Sequence, residues 1–91
     1  MKIIIPLNPT RYQITCYVVE GNEIVTTYIA NIKLLLQNIQ SIFVIYPSID
    51  TIVLMGDKKY TEVFAETFMK AFKQNAIKIV QKPTLKRRPQ R

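Results

Sequence analysis

The sequence predicts an α/β (α+β) fold, a mixed β-sheet with element order βββαβαβ and two helices. Three observations carry this expectation. Two runs rich in Val, Ile, Thr and Tyr flank Gly21-Asn22, a pair suited to a two-residue hairpin loop. Two later stretches, 32–46 and 57–75, carry apolar residues at helical spacing. Short apolar runs at 50–56 and 76–80 follow those stretches. Strands joined through helices lie parallel with right-handed connections, whereas the early hairpin is antiparallel.

Taken in order, "KIIIPL" (2–7) is a β-branched run stopped by Pro6 and Pro9. Proline in a strand points to a sheet edge. In the hairpin, 11–31, Gly21 supplies the positive φ of the turn. Counting outward from it pairs Val19 with Ile24, Val18 with Val25, Cys16 with Thr27 and Ile14 with Ile29. Tyr12, Ile14, Cys16, Val18, Val25 and Ile29 then share a core face. Arg11, Gln13, Thr15, Tyr17, Thr26 and Tyr28 share the other, half-polar face.

In "IKLLLQNIQSIFVIY" (32–46), Ile32, Leu35, Leu36, Ile39, Ile42, Phe43 and Tyr46 fall on one helical arc. The alternative treats "IFVIY" (42–46) as a strand, and Pro47 ends the element either way. "DTIVLMG" (50–56) reads as a buried strand. In 57–75 the stripe is Tyr60, Val63, Phe64, Thr67, Phe68, Ala71 and Phe72. "AIKIV" (76–80) is the last strand. The expected core is Ile14, Cys16, Val18, Val25, Ile29, Leu35, Ile39, Ile52, Leu54, Phe64, Phe68, Phe72 and Ile79.

Length and composition set the frame. Ninety-one residues with 48% hydrophobic content make one domain with a real core. The net charge of +7 is uneven. Residues 1–81 carry eight Lys/Arg against six Asp/Glu, and 82–91, "KPTLKRRPQR", adds five positive charges and no acid. The expected organisation is a single α/β domain over 1–81 and a basic C-terminal tail over 82–91. Such tails meet nucleic acid or acidic protein surfaces. The longest apolar region is broken by Lys33, Gln37, Asn38 and Gln40 and is too short for a bilayer. A cytoplasmic protein is expected, with no membrane partner.

The chemistry-bearing residues are sparse. There is no His, and Cys16 is the one cysteine. No Ser–His–Asp set, Cys–His pair, metal-spaced ligand group or glycine-rich phosphate cradle can be assembled. No catalytic residue, metal site or cofactor is expected. Asp57 stands where a helix N-cap belongs. The candidate binding residues are Lys82, Lys86, Arg87, Arg88 and Arg91 of the tail, with an acidic protein surface or nucleic acid as partner. Tyr17 and Tyr28, counted onto one outward face, are candidate base-stacking residues. Leu34 and Ile45 lie off the first helix's core arc beside Asn38 and Ser41. They are a candidate interface for a homo-oligomer or larger assembly.

The order of the elements, the early hairpin and "IDTIVLMGDKKYTEVFAETFMKAF" (49–72) together resemble a reduced RNase H-like fold, as in small RNase H-like proteins of tailed bacteriophages. The resemblance covers 2–81 as a pattern. It implies a phage structural or accessory protein, found in host cytoplasm or virion. Enzymes of that fold hold Mg²⁺ between several carboxylates, the first on the opening strand. "KIIIPL" has none, and Asp57 stands alone after the fourth strand, so a metal-dependent nuclease is the least favoured reading. A non-enzymatic assembly or interaction protein docking through its tail comes first, and a nucleic-acid-binding module using the same tail comes second.

Overall fold

The computed structural model describes residues 1–83, apart from the side chain of Gln74. Lys86, Arg87, Arg88 and Arg91 therefore lie outside the described residues. The chain forms strands β1 (Lys2–Pro6), β2 (Gln13–Glu20) and β3 (Glu23–Asn31), then helix α1 (Leu35–Ile45), strand β4 (Thr51–Met55), helix α2 (Lys58–Ala71) and strand β5 (Lys78–Lys82). One five-stranded mixed sheet results, in the order β3-β2-β1-β4-β5. β2 is antiparallel to both its neighbours, while β1, β4 and β5 run parallel. The expected fold class and element order are what the chain adopts. β5 includes Lys82, the first residue of the basic segment.

β1 is central, contrary to the edge position read from its prolines. It pairs with β2 only through Ile4 and with β4 through Pro6. Leu7 N–H donates to the Met55 carbonyl at 2.7 Å, on the β4 side. Strand backbone groups alternate in direction, so the missing Pro6 N–H falls on the other side, beyond the end of the β2 pairing. No ladder bond is lost there. Ile3 and Ile5 consequently sit at the centre of the core, 0% exposed.

The hairpin turns with Gly21 at φ 63°, as expected. Its register departs from the expected one after a single pair. Val19 faces Ile24, but Val18 faces Thr26, because a β-bulge inserts Val25. Every later β3 residue is shifted by one, which exchanges the two faces. Val25 and Ile29, expected in the core, are 43% and 74% exposed, whereas Tyr28 and Ala30 turn inward. Tyr12, expected on the core face, precedes β2 and is exposed, with Lys33 Nζ 5.8 Å from its ring centroid.

α1 follows a short 3-10 turn (Ile32–Leu34) whose Lys33 N–H is capped by the Asn31 side chain at 2.8 Å. "IFVIY" completes this helix and is not a strand. The expected arc holds throughout: Leu35, Ile39 and Ile42 are buried, and Ile32, Leu36, Phe43 and Tyr46 pack around them. On α2 the buried stripe is Thr61, Ala65, Phe68 and Phe72, with Tyr60 and Phe64 as half-buried flanks. Val63 is exposed and Thr67 and Ala71 face solvent, so the expected stripe is rotated. Small side chains let the helix approach the sheet, while its aromatic residues reach down on either side. The Phe43 and Phe72 rings, 4.8 Å apart, join the two helices.

Both helices cover one face of the sheet. The crossovers β3–α1–β4 and β4–α2–β5 step in the same direction across the sheet, and right-handed connections then put both helices on the same side. A single core agrees: Leu35, Ile39, Ile42, Ala65, Phe68 and Phe72 pack with Ile3, Ile5, Cys16, Val18, Ile52 and Leu54. No described element covers the other face.

Candidate interaction surface

The uncovered face is the most distinctive surface of the molecule. Strand register places Thr27, Tyr17, Ile4, Val53 and Val80 in one row across all five strands. Successive side chains on a strand alternate in direction, so this row lies opposite the row through Ile3, Val18 and Ile52. Beside it runs a second row of Ile24, Val19, Lys2, Thr51 and Lys78. Towards the carboxyl ends of β1, β4 and β5 lie Pro6, Met55 and Lys82. Ile29 and Thr15 extend the face on the β3 side. The centre is thus apolar, with Ile4 in its middle, Tyr17 beside it on β2, and Lys2, Lys78 and Lys82 at its margins. The strands contribute no acid to these rows.

Burial grades across this surface. Val53, on a central strand among Ile4, Val80, Thr51 and Met55, is 5% exposed. Ile4, Tyr17 and Val80 are half-buried, and Ile24, Val25 and Ile29 on the outer strand are exposed. Large apolar side chains left in water on one contiguous face are the usual mark of a binding surface.

The sequence-predicted residues fall in separate places. Tyr17 is on the open face. Tyr28 pairs with Cys16, so it lies on the helix-covered side, its ring edge-on to Tyr46 at 6.4 Å. The expected Tyr17–Tyr28 stacking platform is not formed, and the bulge at Val25 is the reason. Burial, then the Tyr46 phenol beside it, raises the Tyr28 phenol above its ordinary pKa. Lys82, exposed on edge strand β5, borders the open face, and its carbonyl accepts from Gly56 N–H at 3.0 Å. Leu34 and Ile45 are exposed, as read, at 49% and 59%. Ile45 lines a shallow groove with Asn38, Ser41, Tyr28 and Ile29, between α1 and β3.

Asp57 occupies the N-cap position of α2, but no side-chain capping bond forms there. Its carbonyl instead accepts from Thr61 N–H at 2.9 Å. Beyond it, Gly56, Lys58, Thr61, Gln81, Lys82 and Pro83 line a cleft of about 290 Å³ at the ends of β4 and β5. The Thr61 hydroxyl is satisfied within the cleft, 3.2 Å from the Lys58 carbonyl and 3.1 Å from Gln81 Oε1. Among the described residues no three His, Cys, Asp or Glu side chains come together as a metal site. Burial pushes the Cys16 thiol up to about 12, which leaves no thiolate for chemistry near neutrality. Among the described residues no helix is long and apolar enough to cross a membrane.

Sequence reasoning missed the open face as a unit. Its signal was present in the equal apolarity of both alternating sets along β1 and β4, which by itself also fits strands covered on both sides.

No family model matches the chain, and no curated protein or solved structure matches it significantly.

Proposed function

We infer that this protein is a non-enzymatic interaction module that docks an acidic protein surface onto its open sheet face. The basic C-terminal segment extends the same contact. The observation that carries this reading is the row Thr27, Tyr17, Ile4, Val53 and Val80, apolar beyond Thr27, covered by no described element and rimmed by Lys2, Lys78 and Lys82. An apolar centre with a charged rim is how protein interfaces are built, and a half-buried Tyr beside that centre is a preferred anchor. Lys82 joins the face to Lys86, Arg87, Arg88 and Arg91, so the chain's excess of positive charge starts at its border. Arg87 and Arg88 supply bidentate pairing with carboxylates. This is the role of a small assembly protein, and it is compatible with the resemblance to phage proteins of RNase H-like fold.

A second reading rests on Tyr17. An aromatic ring on an open sheet, with cations nearby, also suits stacking of a single-stranded base.

One titration separates the two. A fluorescent polyglutamate peptide and single-stranded DNA and RNA oligonucleotides are each titrated with the full chain across a salt series. The acidic peptide is expected to bind more tightly, and Tyr17→Glu or removal of 84–91 to weaken it about tenfold or more. Tighter oligonucleotide binding with a steep salt slope, lost in Tyr17→Ala, would replace the first reading by the second. Peptide binding that ignores Tyr17→Glu would remove the open face from the account.

A further inference from the structure

The outer edge of β3 is a surface distinct from the open face. β3 is nine residues long and has a described neighbour on one side only. Its backbone groups alternate in direction. Ile32 N–H donates inward to the Tyr12 carbonyl at 2.6 Å, so Asn31, Ile29 and Thr27 present theirs outward. Asn31 N–H is taken by the Asn38 side chain at 3.3 Å. The bulge at Val25 ends the regular edge on the other side. Thr27 and Ile29 remain, on a straight edge segment bordered by the exposed apolar side chains of Ile29 and Val25. Natural sheets protect such edges or use them for pairing.

A second layer lies directly above. Leu34, Asn38, Ser41 and Ile45 recur at helical spacing along α1 and its leading turn. Asn38, Ser41 and Ile45 line the groove over Tyr28, Ile29 and Ala30. The helix therefore turns an apolar-ended stripe towards the same side as the free strand edge.

Charge decides the occupant. At the hairpin end of β3, Glu20 and Glu23 face each other across the strand pair. At its other end, Arg11 and Lys33 line a single cleft with Tyr12, Gln13 and Asn31. β3 thus begins acidic, at Glu23 beside Glu20 of β2, and is followed by a basic end, where Lys33 Nζ lies 5.8 Å from the Tyr12 ring and Arg11 precedes β2, so the two ends are complementary when the strand is reversed. We propose that two copies of this chain pair antiparallel through the free edge of β3, about a two-fold axis through its Thr27–Ile29 segment.

The two-fold brings Glu23 of each copy to Asn31 and Lys33 of its partner, and Leu34 beside the partner's Ile45. A parallel arrangement would set like charges together. The two sheets become one ten-stranded sheet with both pairs of helices on the same side, and the two open faces run together as a continuous surface. A two-fold contact of this kind closes on itself and does not propagate.

Sedimentation equilibrium of the full chain over a wide concentration series tests the pairing. The mass is expected to rise from 10.6 kDa towards twice that value. Glu23→Lys and Lys33→Glu should each weaken the dimer about tenfold, and the double exchange should restore it. Thr27→Pro removes an outward N–H and spares the bonds to β2, so a folded, monomeric variant is expected. Ile29→Lys, at an exposed side chain, serves the same purpose should the proline variant fail to fold. A mass of 10.6 kDa at every concentration would overturn the proposal. So would a dimer indifferent to both Ile29→Lys and the charge exchange.

Discussion

The two faces of this sheet are made by the same strands and both carry apolar side chains at their centre, yet only one of them is a core. On the covered face Ile3, Ile5, Cys16, Val18, Ile52 and Leu54 are all 0% exposed. On the open face the apolar residues grade from Val53, 5% exposed, to Ile29, 74% exposed. Residue type does not account for the difference, since Ile4 and Ile5 are chemically identical. Topology does: both crossovers step the same way across the sheet, so both helices fall on one side. An apolar side chain here contributes to stability or remains available for binding according to its parity along the strand.

This contrast can be broken first where the covered face is densest. Phe68, 1% exposed, sits between Phe64 and Phe72 against the sheet. Phe68→Ala should cost about 3–5 kcal/mol and abolish or strongly lower the melting transition. An unchanged melting temperature would mean that α2 does not pack on this face.

Gly56 comes next. Its φ of 149° is a conformation open to glycine, and an added Cβ would lie 2.8 Å from the Leu7 carbonyl oxygen. That oxygen belongs to the backbone leaving β1 and has little room to give. Gly56→Ala should destabilise by about 1–3 kcal/mol, read as a lower denaturant midpoint at unchanged slope.

The Cys16 thiol gives a graded probe of the covered face. Its pKa rises from the ordinary 9.0 to about 12 on folding, through burial. Below pH 9 both states hold the proton and the thiol makes no pH-dependent difference. Between those values the unfolded chain releases the proton while the folded chain keeps it. Stability should therefore fall as pH rises through this window, by about 1.4 kcal/mol per unit. Cys16→Ala should lack that component, and equal alkaline slopes for the two chains would contradict the burial.

The smallest effect belongs to the open face. At dilutions where the chain is monomeric, Ile29→Ser should change stability by less than about 0.5 kcal/mol, because the side chain is already in water. A loss as large as that of a core residue would show that Ile29 is covered after all.

The sequence showed some of this layout plainly and hid the rest for identifiable reasons. The buried face of α1 was legible, since seven apolar positions share one arc, while 42–46 stayed open between helix and strand because its run of β-branched and aromatic residues suits either. The turn at Gly21 was legible because positive φ selects glycine. The bulge was not: Val25 is as good a strand residue as its neighbours, and a period-2 count carries one inserted residue silently into every later position. Tyr28 was thereby assigned to the wrong face and Tyr17 to the correct one. Pro6 misdirected β1 to an edge, because its harmless placement depends on where β2 stops pairing. On α2 the bulky residues drew the stripe away from Thr61 and Ala65, whose small size is what lets the helix sit close. For the candidate surface, the exposure of Leu34 and Ile45 was readable from helical phase. The open face needed the strand order, which no local pattern contains.

Thiol labelling at adjacent β2 positions tests the two-faced sheet most directly. Cys16 points into the core, and Thr15, one residue earlier, points to the open face. Wild-type protein and the Thr15→Cys/Cys16→Ala variant are exposed to a maleimide under native conditions, and their rates are compared with those of the unfolded chains. The variant should react within about tenfold of its unfolded rate, while wild-type Cys16 should react only as fast as the molecule opens. Equal protection at both positions would contradict the account, because the face opposite the helices would then be covered.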